Sequence, residues 1–293
     1  MKPAGAMFIS TYDGIQLGAS LGKGGTAEVI RGDLGGHPLA VKRLGNSTPL
    51  EQKAFRREVT ILAGVQHKNV VVCFGFCESP TLMTIFMECC EGGCVFDLVH
   101  NSSVELATTQ KCSILGDVAL AMEYLHGSEP KILHRDLKSL NLLLARQVCS
   151  KQDVPCIKLC DFGSACVMEV QKKKFRETCM TVKVGTCHWM APEMPSGPYD
   201  EKVDVYSFAM VAFELFCHEI PFGDLDFEDI FLAVAEGARP DLRFADLETP
   251  PAIIDLTVQC WAQLPAERPS FQEVSRTLLQ KFADRSERGT YAL

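Results

Sequence analysis

The sequence has no apolar run long enough to cross a bilayer. Its most apolar stretch, around 205–216, is interrupted by Ser207 and Glu214 and falls short of the about 20 apolar residues that a spanning helix needs. Positive charge is also scarce. Against 37 Asp+Glu stand 29 Lys+Arg, a net charge of -8, so a surface built to coat nucleic acid or an anionic membrane is excluded. Local donors for a small anionic ligand remain compatible with that balance. There is no internal repeat and no low-complexity tract. The opening MKPAGAMFIS lacks the apolar stretch of a secretory signal. Gly5 is not in a myristoylation frame, and TYAL is not a prenylation box. These absences lead us to expect a cytoplasmic protein that inserts in no membrane and binds no nucleic acid.

What is present is ordinary for a globular protein: 293 residues, 47% apolar and 23% charged. That length suits one large domain or two modest ones. The 14 cysteines read as reduced thiols rather than a disulfide framework, which belongs to short secreted chains. Cys73/Cys77 and Cys156/Cys160 lack partner pairs at zinc spacing. Most of the cysteines read as small buried hydrophobes.

The first third shows short β-prone runs at 15–17, 29–31, 39–44, 70–77 and 82–88, separated by turn residues. One helix interrupts them, with Phe55, Val59 and Leu62 on one face. The remainder reads mostly helical. Ile114, Leu115, Val118, Met122 and Leu125 form a stripe, and Gly127 is a stop signal. Residues 203–217 are apolar nearly all round, the pattern of a buried helix. Ser270 and Glu273 spell a capping box ahead of Phe271, Val274 and Leu278. A β region followed by an α region predicts an α+β chain in two lobes, joined near Glu91-Gly92-Gly93.

Several segments combine residue types suited to phosphate chemistry. Leu21-Gly22-Lys23-Gly24-Gly25-Thr26-Ala27-Glu28-Val29 puts glycines between two strands. There the backbone can approach an anion and turn N–H groups to it. A plain hairpin turn would use the same glycines, and no Gly-Lys-Ser/Thr follows to make a Walker loop. Lys42 ends the apolar strand Leu39-Ala40-Val41. It either reaches water along the strand or pairs with Glu58 of the next helix to meet phosphate oxygens. His134-Arg135-Asp136-Leu137-Lys138-Ser139-Leu140-Asn141 packs an acid, two cations and an amide into eight residues, a mixture that core and plain surface rarely need. Asp161-Phe162-Gly163 follows, behind Ile157-Lys158-Leu159-Cys160, and Gly185-Thr186-Cys187-His188-Trp189-Met190-Ala191-Pro192-Glu193 comes later.

In this order, these segments resemble the full signature set of the protein kinases, over about 15–282. The resemblance implies a bilobal kinase fold: an N-terminal extension 1–14, a small β-rich lobe 15–90 with one regulatory helix, a hinge 88–93, a larger helical lobe 94–282 and a tail 283–293. Lys138, two residues after Asp136, is similar to Ser/Thr kinases. The runs HRDLKSLN, GTCHWMAPE and VDVYSFAMVAFEL resemble the tyrosine-kinase-like group, such as the Raf and mixed-lineage kinases. The implied activity is an ATP-dependent protein serine/threonine kinase. The alternatives are a dual-specificity or tyrosine kinase, and a pseudokinase scaffold that binds ATP without turnover. The presence of Lys42, Glu58, Asp136, Asn141 and Asp161 weighs against the scaffold.

The resemblance also implies roles. Leu21, Gly22, Lys23, Gly24, Gly25 and Val29 would cover ATP. Lys42, held by Glu58, would bind the α- and β-phosphates. Asp161 and Asn141 would hold Mg2+, with Mn2+ as a substitute. Asp136 would orient the substrate hydroxyl and accept its proton, Lys138 would neutralise the transferring phosphoryl, and Thr186 would support both. Met87 would be the gatekeeper. The backbone of Glu88 and Cys90 would bind adenine, Val29, Ala40 and Leu143 would sandwich it, and Asp97 would reach the ribose. Glu193 and Arg268 would form a buried ion pair, and Asp204 would brace the catalytic loop. Leu62, His134 and Phe162 would stack as part of a hydrophobic spine. Arg135 would take an anion from the activation segment, so Thr178 and Thr181 are phosphorylation candidates, for the enzyme itself or an upstream kinase. Lys172-Lys173-Lys174 reads as a solvated charge run.

Two departures from the family pattern stand out. Ala27 replaces the third glycine of the loop, and 145–155 is longer than usual and reads as an extended surface turn. Cys94 and Cys160 sit where covalent ligands reach in some relatives; bystander thiols are the alternative. Implied partners are proteins bearing Ser or Thr, and side-to-side dimerisation.

Overall fold

Five strands form an antiparallel sheet in the order β1-β2-β3-β5-β4: β1 (Ile15–Lys23), β2 (Ala27–Leu34), β3 (His37–Gly45), β4 (Cys73–Glu78) and β5 (Leu82–Glu88). The structure, a computed structural model, describes residues 9–23, 27–45, 47–79, 82–168, 187–195 and 197–286. The pleat sorts side chains to two faces. Ala40 and Leu44 of β3 join the main core, whereas Leu39 and Val41 join a second, smaller one.

Two strand boundaries differ from the sequence reading. The apolar run at 70–77 enters the sheet only from Cys73. The backbone at 70–71 is engaged elsewhere, since Val70 bridges Leu159 and Val71 N–H donates to Leu159 O, while Val72 O accepts from Glu88 N–H at the end of β5. β1 in turn runs six residues beyond the apolar run, through two register shifts against β2.

α1 (Pro49–Gly64) starts at a capping box. Glu51 N–H donates to Thr48 Oγ1 (3.3 Å), and Thr48 N–H donates to Glu51 Oε2 (2.7 Å). It buries Phe55, Val59, Ile61 and Leu62 against the sheet together with Glu58, an acid on the apolar face.

The second lobe is helical. It contains α2 (Val95–His100), α3 (Thr108–Gly127), α4 (Lys202–Cys217), α5 (Phe227–Ala235), α6 (Pro251–Cys260) and α7 (Phe271–Ser286), with the two-stranded antiparallel pairs β6 (Ile132–Leu133)/β9 (Cys166–Val167) and β7 (Leu142–Leu144)/β8 (Ile157–Leu159). The α+β, two-lobed architecture agrees with the sequence reading. So does α4, buried at every residue from 203 to 217, and so does the stop of α3 at Gly127. The capping box before α7 is formed, with Ser270 N–H donating to Glu273 Oε2 at 2.7 Å. The long 145–155 turn is tied down. Asp153 accepts from the N–H groups of Cys149 and Ser150 (2.8 Å each), and Gln110 Nε2 donates to Ser150 O and Asp153 O.

The lobes meet where glycine lets two chains touch. Gly92 N–H donates to Leu144 O (3.0 Å), and Leu144 N–H donates to Gly93 O (2.9 Å). A Cβ on Gly92 would lie 2.4 Å from Arg146 O, so only glycine fits there. Among the described residues no cysteine is in a disulfide, and no helix is long and apolar enough to cross a membrane.

Candidate active site

β3 and α1 bring Lys42 to Glu58 from one lobe, and the turn after β8 brings Asp161 from the other. Lys42 Nζ lies 2.6 Å from Glu58 Oε1 and 3.0 Å from Asp161 Oδ1. Burial alone would depress this ammonium; the Asp161 and Glu58 carboxylates outweigh burial and raise it. Lys42 is therefore held charged and does not reach out to water. Asp161 takes a left-handed backbone, φ 60°, an uncommon conformation for a non-glycine residue. Phe162, wholly buried, packs edge-on to His134 at 5.0 Å. Leu62 is buried in the same core.

The loop after β6 is seated on α4. Asp204, wholly buried, accepts from the N–H groups of His134 (2.9 Å) and Arg135 (2.7 Å) and contacts His126 Nε2 (2.8 Å). Burial alone would raise its carboxyl; the hydrogen bond and charge of His126 and the Arg135 N–H help to pull it below its ordinary value. Arg135, at φ 65°, donates to Ser164 O (2.6 Å) and Tyr199 Oη (2.9 Å). The anion expected for Arg135 was to come from Thr178 or Thr181, which lie outside the described residues.

Asp136 follows in a buried cluster. Lys138 Nζ donates to both of its oxygens (2.8 and 3.0 Å), and Asn141 Nδ2 donates to its backbone O (2.7 Å) and to Oδ2 (3.1 Å). With its amide nitrogen committed to Asp136, Asn141 has its amide oxygen left for a cation. Cys160 N–H donates to Asn141 O at 3.0 Å, which sets Asn141 beside the start of the Asp161 turn. A carboxylate and an amide oxygen are hard donors, so these residues fit Mg2+ or Mn2+.

Ala40 and Met87 are buried, and Val29, Cys90 and Leu143 are half-buried on the same core. Leu143 faces the opposite way from its buried neighbours Leu142 and Leu144. Glu88 N–H is committed to Val72 O, whereas no partner for Cys90 N–H is found among the described residues. Asp97 is engaged within α2 by Cys94 Sγ (3.1 Å) and Asn101 Nδ2 (2.8 Å). Leu21, Gly22 and Lys23 lie exposed on β1. Gly24, Gly25, Thr178, Thr181, Thr186 and the lysines at 172–174 lie outside the described residues.

Burial pushes the Cys94 thiol up to about 11, Cys90 up to about 12 and Cys160 well above its ordinary value. The thiol therefore prevails over the reactive thiolate, which favours the bystander reading. Glu193 and Arg268 form the anticipated pair as a two-pronged fork, at 2.6 and 3.0 Å.

Sequence reasoning missed Glu214. Wholly buried in α4, it accepts from Ser139 Oγ (2.5 Å) and Trp189 Nε1 (3.0 Å) and contacts His100 Nε2 (3.0 Å). One carboxylate thus ties together the Asp136 loop, the segment before Ala191-Pro192-Glu193, and α2. Its signal was visible, since an acid inside an otherwise apolar helix must find donors.

These side chains sit on a five-stranded sheet and a helical lobe, the architecture expected of the family that the sequence resembles. Residues 15–279 match the model for the protein kinase domain, and the chain belongs to that family. It is 33% identical over 275 residues to a probable serine/threonine-protein kinase of Dictyostelium discoideum, covering 92% of this chain and 28% of that protein. It is 34% identical over 277 residues to the probable serine/threonine-protein kinase SIS8 of Arabidopsis thaliana, covering 92% of this chain and 25% of that protein. Against the dual specificity protein kinase pyk3 of Dictyostelium discoideum the identity is 33% over 266 residues, covering 90% and 18%. The chain thus spans between 18% and 28% of the length of these relatives.

Proposed function

We propose that this chain is an ATP-dependent protein serine/threonine kinase, transferring the γ-phosphate of ATP to Ser/Thr hydroxyls of protein substrates. The observation that carries this reading is Lys42, held charged between Glu58 of one lobe and Asp161 of the other. Phosphoryl transfer calls for positioning and charge neutralisation more than covalent chemistry. The ammonium of Lys42 binds α- and β-phosphate oxygens. Asp136, aimed by Lys138 and Asn141, orients the substrate hydroxyl and takes its proton. Lys138 offsets charge on the transferring group. Val29, Ala40, Met87 and Leu143 sandwich the adenine, with Cys90 N–H as its donor. Mg2+, held by Asp161 and Asn141, supplies neutralisation of phosphate charge when bound.

The catalytic unit spans 15–282, with its hinge at 88–93. Lys138 and the flanking runs support placement in the tyrosine-kinase-like group. A second reading, dual specificity, is favoured by the likeness to pyk3. Phosphorylation at Thr178 or Thr181 by the enzyme itself or an upstream kinase, dimerisation and a cytoplasmic location complete the proposal.

The test is γ-phosphate transfer to a Ser/Thr peptide, comparing wild type with Asp161→Asn, followed by phosphoamino-acid analysis. Loss of about 10²-fold or more in the variant is expected. Phosphotyrosine in the wild-type product would favour dual specificity. If the wild type transfers nothing, even after treatment with an upstream kinase, yet binds ATP in a thermal-shift assay, the enzyme reading fails and the scaffold reading stands.

A further inference from the structure

Residues 9–14 precede the family match at 15–279, yet they are built into the sheet. Ile9 N–H donates to Phe74 O at 2.9 Å, and Ile9 bridges Gly75 in parallel, beside the edge strand β4. The seat depends on glycine: Gly75 has φ 153°, and a Cβ there would lie 2.0 Å from Ile9 O and 2.8 Å from Ile9 N. Tyr12 then joins the core on the face of the sheet that lacks α1. Its hydroxyl lies 2.6 Å from Oγ1 of Thr84, a wholly buried residue. Its ring meets Phe86 edge-on at 5.4 Å. Ile15 N–H donates to Tyr12 O at 3.0 Å and closes the turn into β1. Ile9, Leu39, Val41 and Phe86 form a core of their own, with Tyr12 packed on it.

That core lies one residue away from the active site. Val41 pairs with Phe86, Lys42 with Ile85 and Arg43 with Thr84. The pleat sends Val41 into the second core and Lys42 toward Glu58. Lys42 contacts carboxylates from two different lobes, so its placement depends on how rigidly β3 is held. Without the segment, Leu39, Val41 and Phe86, now almost wholly buried, would lose the cover of Ile9 and Tyr12 and keep only that of Ile15, Leu34, Phe74 and Cys77.

We infer that residues 9–14 are a clamp that positions Lys42 for nucleotide, and that the Tyr12–Thr84 hydroxyl pair is its latch. Tyr12 and Thr84 are positioning residues that act through β3. The inference rests on the nucleotide reading of Lys42.

The test uses the full chain with Tyr12→Phe, Thr84→Val, both together, and Thr84→Ser. Each of the first two raises KM for ATP about fivefold, the equivalent of one net hydrogen bond, while kcat at saturating ATP stays within twofold. The double variant is no worse than either single one, since both remove the same bond. Thr84→Ser keeps the wild-type KM. A lowered melting temperature with KM for ATP unchanged would overturn the clamp and leave a structural strap. Additive effects in the double variant would overturn the latch. If wild type itself binds no ATP, the nucleotide reading falls instead. Amide exchange in β3 then decides the clamp: faster exchange in Tyr12→Phe supports it, and unchanged exchange refutes it.

Discussion

Replacing Glu214 by Gln probes how one buried carboxylate holds three parts of the catalytic lobe together. Ser139 and His100 meet one oxygen, and Trp189 meets the other. Gln keeps the shape but offers one oxygen and one NH2. If the amide oxygen stays with Ser139 and His100, the NH2 faces the indole N–H, and two donors confront each other. If the amide turns over, Trp189 regains an acceptor and the NH2 faces Ser139 and His100, whose strong bonds to a charged acceptor are lost. In either orientation a bond to a charged group goes, worth about 1.5–3 kcal/mol, and a buried donor loses its match. For a domain of this size that amounts to a fall in Tm of roughly 3–5 °C. Ser139 lies next to Lys138, and Trp189 lies three residues before Pro192, so kcat for a peptide should fall alongside Tm. Thermal unfolding and steady-state kinetics on the same preparation read both. A variant that melts within 1 °C of wild type, on the scale of that estimate, and keeps its kcat would refute the idea that the network carries weight.

Two further outcomes follow from buried groups. The Asp204 carboxyl lies below its ordinary value in the folded state. The unfolded group titrates near about 3.9, so its contribution is fully present above that pH and is lost as pH falls through the lower folded value. Urea midpoints measured across acidic pH should therefore fall less steeply for Asp204→Asn than for wild type; equal slopes would show that Asp204 is not the group responsible. Arg268→Lys replaces the fork on Glu193 by a single point charge and should lower stability by about 1.5–3 kcal/mol. Denaturant unfolding checks it, and an unchanged midpoint counts against the pair as an anchor.

Much of the architecture was legible in local pattern. The all-round apolar character of 203–217 announced a buried helix, and Thr48 and Ser270 each sit three residues before a Glu that closes a capping box. The spacing of Phe55, Val59 and Leu62 marked the inner face of α1. The motif residues were legible as a set, because phosphate chemistry demands an improbable mixture of acid, amide and cation in short stretches. Less visible was which partner a residue would choose. Val70 and Val71 look like the start of a strand but pair with Leu159, and no local pattern distinguishes those two neighbours. Ser164 O and Tyr199 Oη, which accept from Arg135, were likewise not marked by any local pattern.

Local pattern settled the element types, the buried helix and the glycines of the lobe junction, since periodicity and capping are local properties. Tertiary structure alone decided that Lys42 joins two lobes, that Glu214 gathers donors from residues 100, 139 and 189, and that the segment at 9–14 seats on Gly75. Each of these joins residues far apart in the chain. Such contacts form only when burial of the whole core compensates the entropy of closing long loops.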